Sequence, residues 1–232
     1  DVSLVGSEMC IRDSNLRVGR PESFNEGGRF AISNLRIVKG SVVYTSNFRP
    51  TTSPLTNITN TKLLCFQSPI DKTLLTVASG FSINNHSGTA GAYAPSGLTG
   101  GIDFPGSQGA GLNSNGMRLT RAKTDFDSDY TIEFWFNMDS LTSVGSNYGA
   151  VLFDGRPVSG NADNTLGSIY LYNTTGANNS FAVRYHAGGT DRIGSAVIFS
   201  VGTWYHLALV RRDGVVKLYV NGTQHGASYS HS

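Results

Sequence analysis

Few residues in this chain have types and spacing suited to chemistry, and they are scattered. Glu133 lies in the stretch 130–139, YTIEFWFNMD, where a strand carboxylate could act as acid, base or nucleophile. Glycoside hydrolysis needs two carboxylates converging on one bond, about 5–5.5 Å apart in retaining enzymes. One strand can supply them in an E-x-D-x-x-E pattern, but the aromatic run Phe134, Trp135 and Phe136 follows Glu133 here. No other strand-like stretch presents two carboxylates on one face, which disfavours hydrolysis and an enzymatic role. The motifs G-x-S-x-G, G-x-x-x-x-G-K-[ST] and H-E-x-x-H are absent. The five histidines are dispersed, and His206, inside WYHLALV, reads as a packing residue rather than a base.

Asp125, Asp127 and Asp129 (DFDSDY) alternate as the oxygen ligands of a calcium loop do. The glycine such a loop needs at its sixth position is Tyr130, and Phe136 stands where the bidentate acid belongs. The expectation is an acidic turn leading into a strand, with no cofactor and no metal. Cys10 and Cys65 stand in unrelated contexts without a C-x-x-C or Cys/His cluster, so neither a zinc site nor a disulfide framework is indicated.

A binding surface is better supported than a reaction centre. Alternation along the strand-like stretches puts Ile132, Phe134 and Phe136 on one face with Val216, Leu218 and Val220, the expected core. The opposite face would carry Glu133, Trp135, Arg184, His186, Lys217 and Tyr219, with Tyr170 and Tyr172 nearby. From these, Trp135, Tyr170, Tyr172, Arg184, His186 and Tyr219 form the expected ligand-binding set. Aromatic rings beside hydrogen-bonding groups suit a sugar, whose C–H face stacks while its hydroxyls find polar partners. Ordinary cross-strand pairing on a half-exposed sheet would use the same residues. The loop 154–167 is a second candidate, at the rim.

The elements that must hold these residues are strands. Charged residues make up only 15% of the chain, while glycine occurs 28 times, a balance that favours short strands and tight turns over amphipathic helices. Residues 30–38, 130–137, 168–173, 181–186, 204–210 and 215–221 are rich in β-branched and aromatic types. The pair WYHLALV and VVKLYVN, joined through Asp213-Gly214, predicts a hairpin. Only a short turn over 42–46 could be helical. The net charge of +2 and scattered basic residues argue against a nucleic-acid partner. No apolar run reaches membrane-spanning length, and residues 1–14 do not read as a signal peptide.

Four stretches then resemble a known family: GIDFPG at 101–106, YTIEFWF at 130–136, TWYHLALVRRDGVVKLYVNG at 203–222 and RFAISNLRIVKGSVVYTSNFRP at 29–50. Together they are similar to the laminin G-like members of the concanavalin A-like lectin/glucanase superfamily, and most of all to tandem repeats in marine bacteriophage structural proteins. The resemblance implies an all-β antiparallel jelly-roll sandwich. It also implies a non-catalytic module for carbohydrate or a cell-surface polymer, repeated beside neighbouring copies on an extracellular or virion surface. A purely structural or decorative virion repeat is the alternative, and an active glycanase stands behind both.

In that family the ISNLRIV strand comes last, whereas here it comes first. Residues 15–66 therefore read as the end of one repeat, 67–100 as a Gly/Ser/Thr-rich connection, and 101–232 as a second repeat cut off before its last strands. Residues 1–14, with SLVGSEMCIRDS, resemble translated sequencing-adaptor read-through and are expected to be a non-native leader. The shuffled order predicts a circularly permuted sandwich. Residues 31–38 would fill an edge left open after Val220, near residues 102–104, with a slip between Ile32 and Leu35.

Overall fold

The computed structural model describes residues 16–18, 27–78, 81–84, 89–104, 117–121, 126–142, 148–155, 166–173 and 180–230. The expected leader 1–14, Asp125 and most of the rim loop 154–167 lie outside them. Eighteen strands and no helix occur among the described residues. They are β1 Leu16–Val18, β2 Gly27–Lys39, β3 Thr61–Cys65, β4 Leu75–Ala78, β5 Phe81–Asn84 and β6 Thr89–Gly91. Then follow β7 Gly101–Phe104, β8 Met117–Arg121, β9 Tyr130–Thr142, β10 Tyr148–Asp154, β11 Ser168–Tyr172 and β12 Ser180–Ala187. The last six are β13 Thr190–Gly194, β14 Phe199–Ser200, β15 Trp204–Arg212, β16 Val215–Val220, β17 Thr223–Gln224 and β18 Tyr229–Ser230.

Two antiparallel sheets face each other. One runs β13-β12-β11-β10-β1-β8-β5 with β14 beside β12; the other runs β17-β16-β15-β9-β2-β3-β4, with β7 beside β2, β6 beside β7 and β18 beside β16. Alternation explains the packing between them. Ile132, Phe134 and Phe136 of β9 and Val216, Leu218 and Val220 of β16 all turn inward, against Ile169, Leu171, Val183 and Tyr185 of the other sheet. Each fully buried apolar side chain of this size contributes about 1.5–3 kcal/mol. The chain is thus the all-β sandwich that the sequence predicts.

The shuffled strand is in place. β2 pairs with β9 from Gly27 opposite Thr142 to Lys39 opposite Tyr130, and its start also pairs with β7, Ile32 opposite Ile102. Ile32, Leu35 and Ile37 are completely buried. Their uneven spacing is absorbed by a register shift between Ser33 and Arg36, where Asn34 takes a φ of 55°. A bulge with one residue in the left-handed region re-aims the strand so that both halves keep their apolar side inward. The bulge is fastened: Asn34 Oδ1 accepts from Leu55 N at 3.0 Å and Gln67 Nε2 at 2.9 Å.

Three expectations need correction. The gap that β2 fills is beside β9, not beyond Val220, because β16 already has β15 on one side and β17 and β18 on the other. Residues 67–100 are more than a connection, since β4, β5 and β6 lie within them and pair with β3, β8 and β7. Residues 42–46 form bends and open backbone, not a helical turn. The predicted hairpin is present, with β15 and β16 turning on Asp213 and Gly214 at φ of 49° and 79°. That pair of positive angles is what a two-residue hairpin loop requires.

Candidate functional site

The outward residues of the ten-stranded sheet are set by the same alternation that fills the core. On β15 they are Trp204, His206, Ala208 and Val210; on β9 they include Thr131, Glu133, Trp135 and Asn137. The middle of this face is covered by residues 41–58, which follow β2 as a strap. Phe48 N donates to Gly222 O at 2.9 Å and Val43 N to Thr131 Oγ1 at 3.0 Å. Gly222 must be glycine: at φ 78° a β-carbon there would lie 1.8 Å from the Phe48 carbonyl oxygen. Tyr44 stacks on Phe48 with centroids 3.5 Å apart, and Phe48 tilts over Tyr219 at 5.6 Å.

Under the strap lies a charge cluster with Glu133 at its centre. Glu133 is 0% exposed. Its Oε1 accepts from Arg36 Nε at 2.9 Å and Nη2 at 2.6 Å, and its Oε2 from the Tyr44 hydroxyl at 2.7 Å. His206 Nε2 lies 3.2 Å from the same Oε2. Burial pushes the Glu133 carboxyl up, but the His206 hydrogen bond, the Arg36 charge and the Tyr44 hydroxyl outweigh it and hold the group below its ordinary value. Burial and the neighbouring carboxylate push the Tyr44 phenol up. Both Glu133 oxygens are engaged with protein partners and the carboxylate is closed to substrate, while His206 Nδ1 is buried without a hydrogen-bond partner among the described residues. His206 is wholly buried, packed edge-on to Trp135 at 5.2 Å as well as bound to Glu133.

Past the strap the same face opens into a groove of about 320 Å³. It is lined by Arg29, Tyr93, Asp103, Asn137, Asp139 and Trp204, with Ala31, Ala92 and Ala94 between them. Strand pairing explains the assembly. Asp103 on β7 opposes Ala31 on β2, Ala31 opposes Asn137 on β9, and Asn137 opposes Trp204 on β15. Neighbouring strands are about 4.8 Å apart, so this row of four spans roughly 14 Å. Arg29 grips Asp103 with Nη2 to Oδ2 at 2.7 Å and Nε to Oδ1 at 3.1 Å, and lies 3.8 Å from Asp139. The Tyr93 ring is pressed on Gly91, where a β-carbon would come within 2.5 Å of it.

The residues expected to form one binding face are divided between two. Trp135 and Tyr219 belong to the ten-stranded sheet. Tyr170, Tyr172, Arg184 and His186 face outward from β11 and β12 of the eight-stranded sheet, across the core. There Tyr170 donates to Asp191 Oδ2 at 2.6 Å, His186 Nδ1 lies 2.9 Å from Asp191 Oδ1, and Arg184 sits 5.4 Å over the Tyr172 ring. These contacts are pairing within that sheet. Tyr219 is 1% exposed beneath Phe48, and Trp135 is half-buried beside His206.

Asp127 and Asp129 serve the hairpin. Asp129 Oδ1 accepts from Asp213 N at 2.9 Å, and the Asp127 carbonyl accepts from Arg211. Among the described residues no group of three or more His, Cys, Asp or Glu side chains could hold a metal ion. Cys65 is buried, and burial pushes its thiol up. Sequence reading passed over the groove because its six polar and aromatic residues come from five separate segments. The one signal available was the alternation of WYHLALV, which puts Trp204 on the face opposite Tyr205 and Leu207.

Residues 111–232 match the family model Laminin_G_3, described as the concanavalin A-like lectin/glucanases superfamily. A BEACH domain-containing protein, lvsE, of Dictyostelium discoideum is 30% identical over 115 residues, 47% of this chain. The chain spans about 5% of the length of that relative. No solved structure matches the chain.

Proposed function

The chain belongs to the concanavalin A-like lectin/glucanases superfamily, and from that premise we propose that it is a non-catalytic binding module whose ligand is a neutral carbohydrate held in the Trp204 groove. The observation that carries this reading is the composition of the groove. Two aromatic side chains, Trp204 and Tyr93, line one cavity with the carboxylates of Asp103 and Asp139, the Asn137 amide and the Arg29 guanidinium. Rings offer a stacking surface for the apolar side of a pyranose, and the polar groups offer both donors and acceptors for its hydroxyls. The balance of two carboxylates and one guanidinium leaves the groove slightly negative, which favours neutral over acidic sugars. Burial of Glu133 among Arg36, Tyr44 and His206 supports a non-catalytic role.

Trp204→Ala is expected to weaken binding to soluble neutral polysaccharides at least tenfold, read by affinity gel electrophoresis, with an unchanged circular dichroism spectrum. Equal retardation of the variant and the parent by every polysaccharide that binds the parent would refute the groove as the site. A second reading, a structural module without a sugar ligand, is favoured by the strap, which closes half of the face. It predicts that the parent protein is retarded by no polysaccharide at all.

A further inference from the structure

Beyond the strap, Val210 reaches a second cavity of about 240 Å³ at the β15–β16 hairpin. Its walls include Tyr44, Val210 and Val215, and Tyr219, Lys217 and Arg212 supply its donors. Tyr219 is 1% exposed, yet its hydroxyl makes no hydrogen bond among the described residues. Burial also pushes this phenol up, so it stays a donor throughout the neutral range. Lys217 has no ion pair among the described residues. Arg212 lies 3.5 Å from Asp213, the one carboxylate of the lining, and both side chains are exposed to solvent. The cavity thus carries one net positive charge and, on its wall, a phenol hydroxyl that no described protein group accepts from, set against apolar walls. The hydroxyl opens into the cavity beside Lys217, and the complement of a phenol and an ammonium is an anionic acceptor.

We propose that this cavity is a second binding site, for the carboxylate of an acidic sugar residue such as a uronic acid. The carboxylate accepts from the Tyr219 hydroxyl and pairs with Lys217, while the sugar ring lies against Tyr44 and Val210. The carboxylate follows from the donor set alone; the choice of a sugar ring to carry it rests on the reading of the chain as a carbohydrate-binding module.

Sodium glucuronate, titrated into the whole chain at low salt and followed by amide chemical shifts, is the test. Glucuronate is expected to move the amides of Val210, Lys217 and Tyr219, and glucose is expected to leave them unmoved. Lys217→Ala and Tyr219→Phe should each weaken the response at least tenfold. Tyr219→Phe keeps the ring under Phe48, so a loss of binding there reports the hydroxyl and not the packing. Shifts confined to Ala31, Asn137 and Trp204 would overturn the second site and leave the groove reading standing. An acetate response equal to that of glucuronate would overturn the sugar ring, and undiminished affinity in both variants would overturn the site.

Discussion

Arg36→Ala should destabilise the protein by about 3–5 kcal/mol at neutral pH, the cost of leaving a buried charge without its partner. Arg36 gives two hydrogen bonds to Glu133 Oε1 and a third, from Nη1, to the Thr56 carbonyl at 2.9 Å. Its loss therefore strips the carboxylate of its cation and unfastens the strap together. Replacing Arg36 and Glu133 jointly by apolar residues of similar volume should cost less than either single change, because no orphaned charge remains. The acid limb of stability carries the same signature. Glu133 titrates in the folded state below its ordinary value of 4.5. Its contribution is complete above that value and is lost as the pH falls through the lower folded one. In Arg36→Ala the carboxyl loses its cation, so this limb should move to higher pH. Urea unfolding at pH 7 and pH 3 measures both effects; a loss below about 1 kcal/mol at pH 7, in the range of an exposed pair, would contradict the account.

What the sequence made legible, and what it hid, follow from one property of strands. A period of two tells inside from outside and says nothing of which sheet a strand joins. Alternation alone assigns Ile132, Phe134 and Phe136 to the core, and the slip between Ile32 and Leu35 matches the register shift that keeps Ile32, Leu35 and Ile37 inward. The same logic grouped Arg184 and His186 with Trp135, because all three point away from the core. They point away on opposite sides, since β12 reaches the body through β11 and β10 while β9 lies in the other sheet. Tyr219 also faces outward as its spacing requires, and is then covered by Phe48, a residue 171 positions earlier in the chain. No local pattern announces such a cover. The strands of residues 67–100 escaped notice because three or four residues among Gly and Ser carry too little periodicity to register.

The placement of β2 leads to the largest effect of all. A chain without residues 27–66 should fail to fold cooperatively, and its soluble fraction should associate. β2 is interior to the ten-stranded sheet, with β9 on one side and β3 and β7 on the other, and it makes eleven register pairs with β9. Its removal takes Phe30, Ile32, Leu35 and Ile37 out of the core and Leu63 and Cys65 with them. It also exposes one whole edge of β9, thirteen residues long, with unpaired backbone groups and an apolar inner side. An edge of that length, without proline and with only Glu133 and Asp139 as charges along it, pairs with other chains. A smaller change tests the same strand within the intact protein. Ile32→Ala should cost about 2–5 kcal/mol, and Ile32→Asp should abolish the cooperative transition, because a carboxylate there has no buried partner. Denaturant melts and light scattering read these outcomes. A monomeric, cooperatively unfolding chain without residues 27–66 would show that the body closes its sheet by itself and that β2 only decorates it.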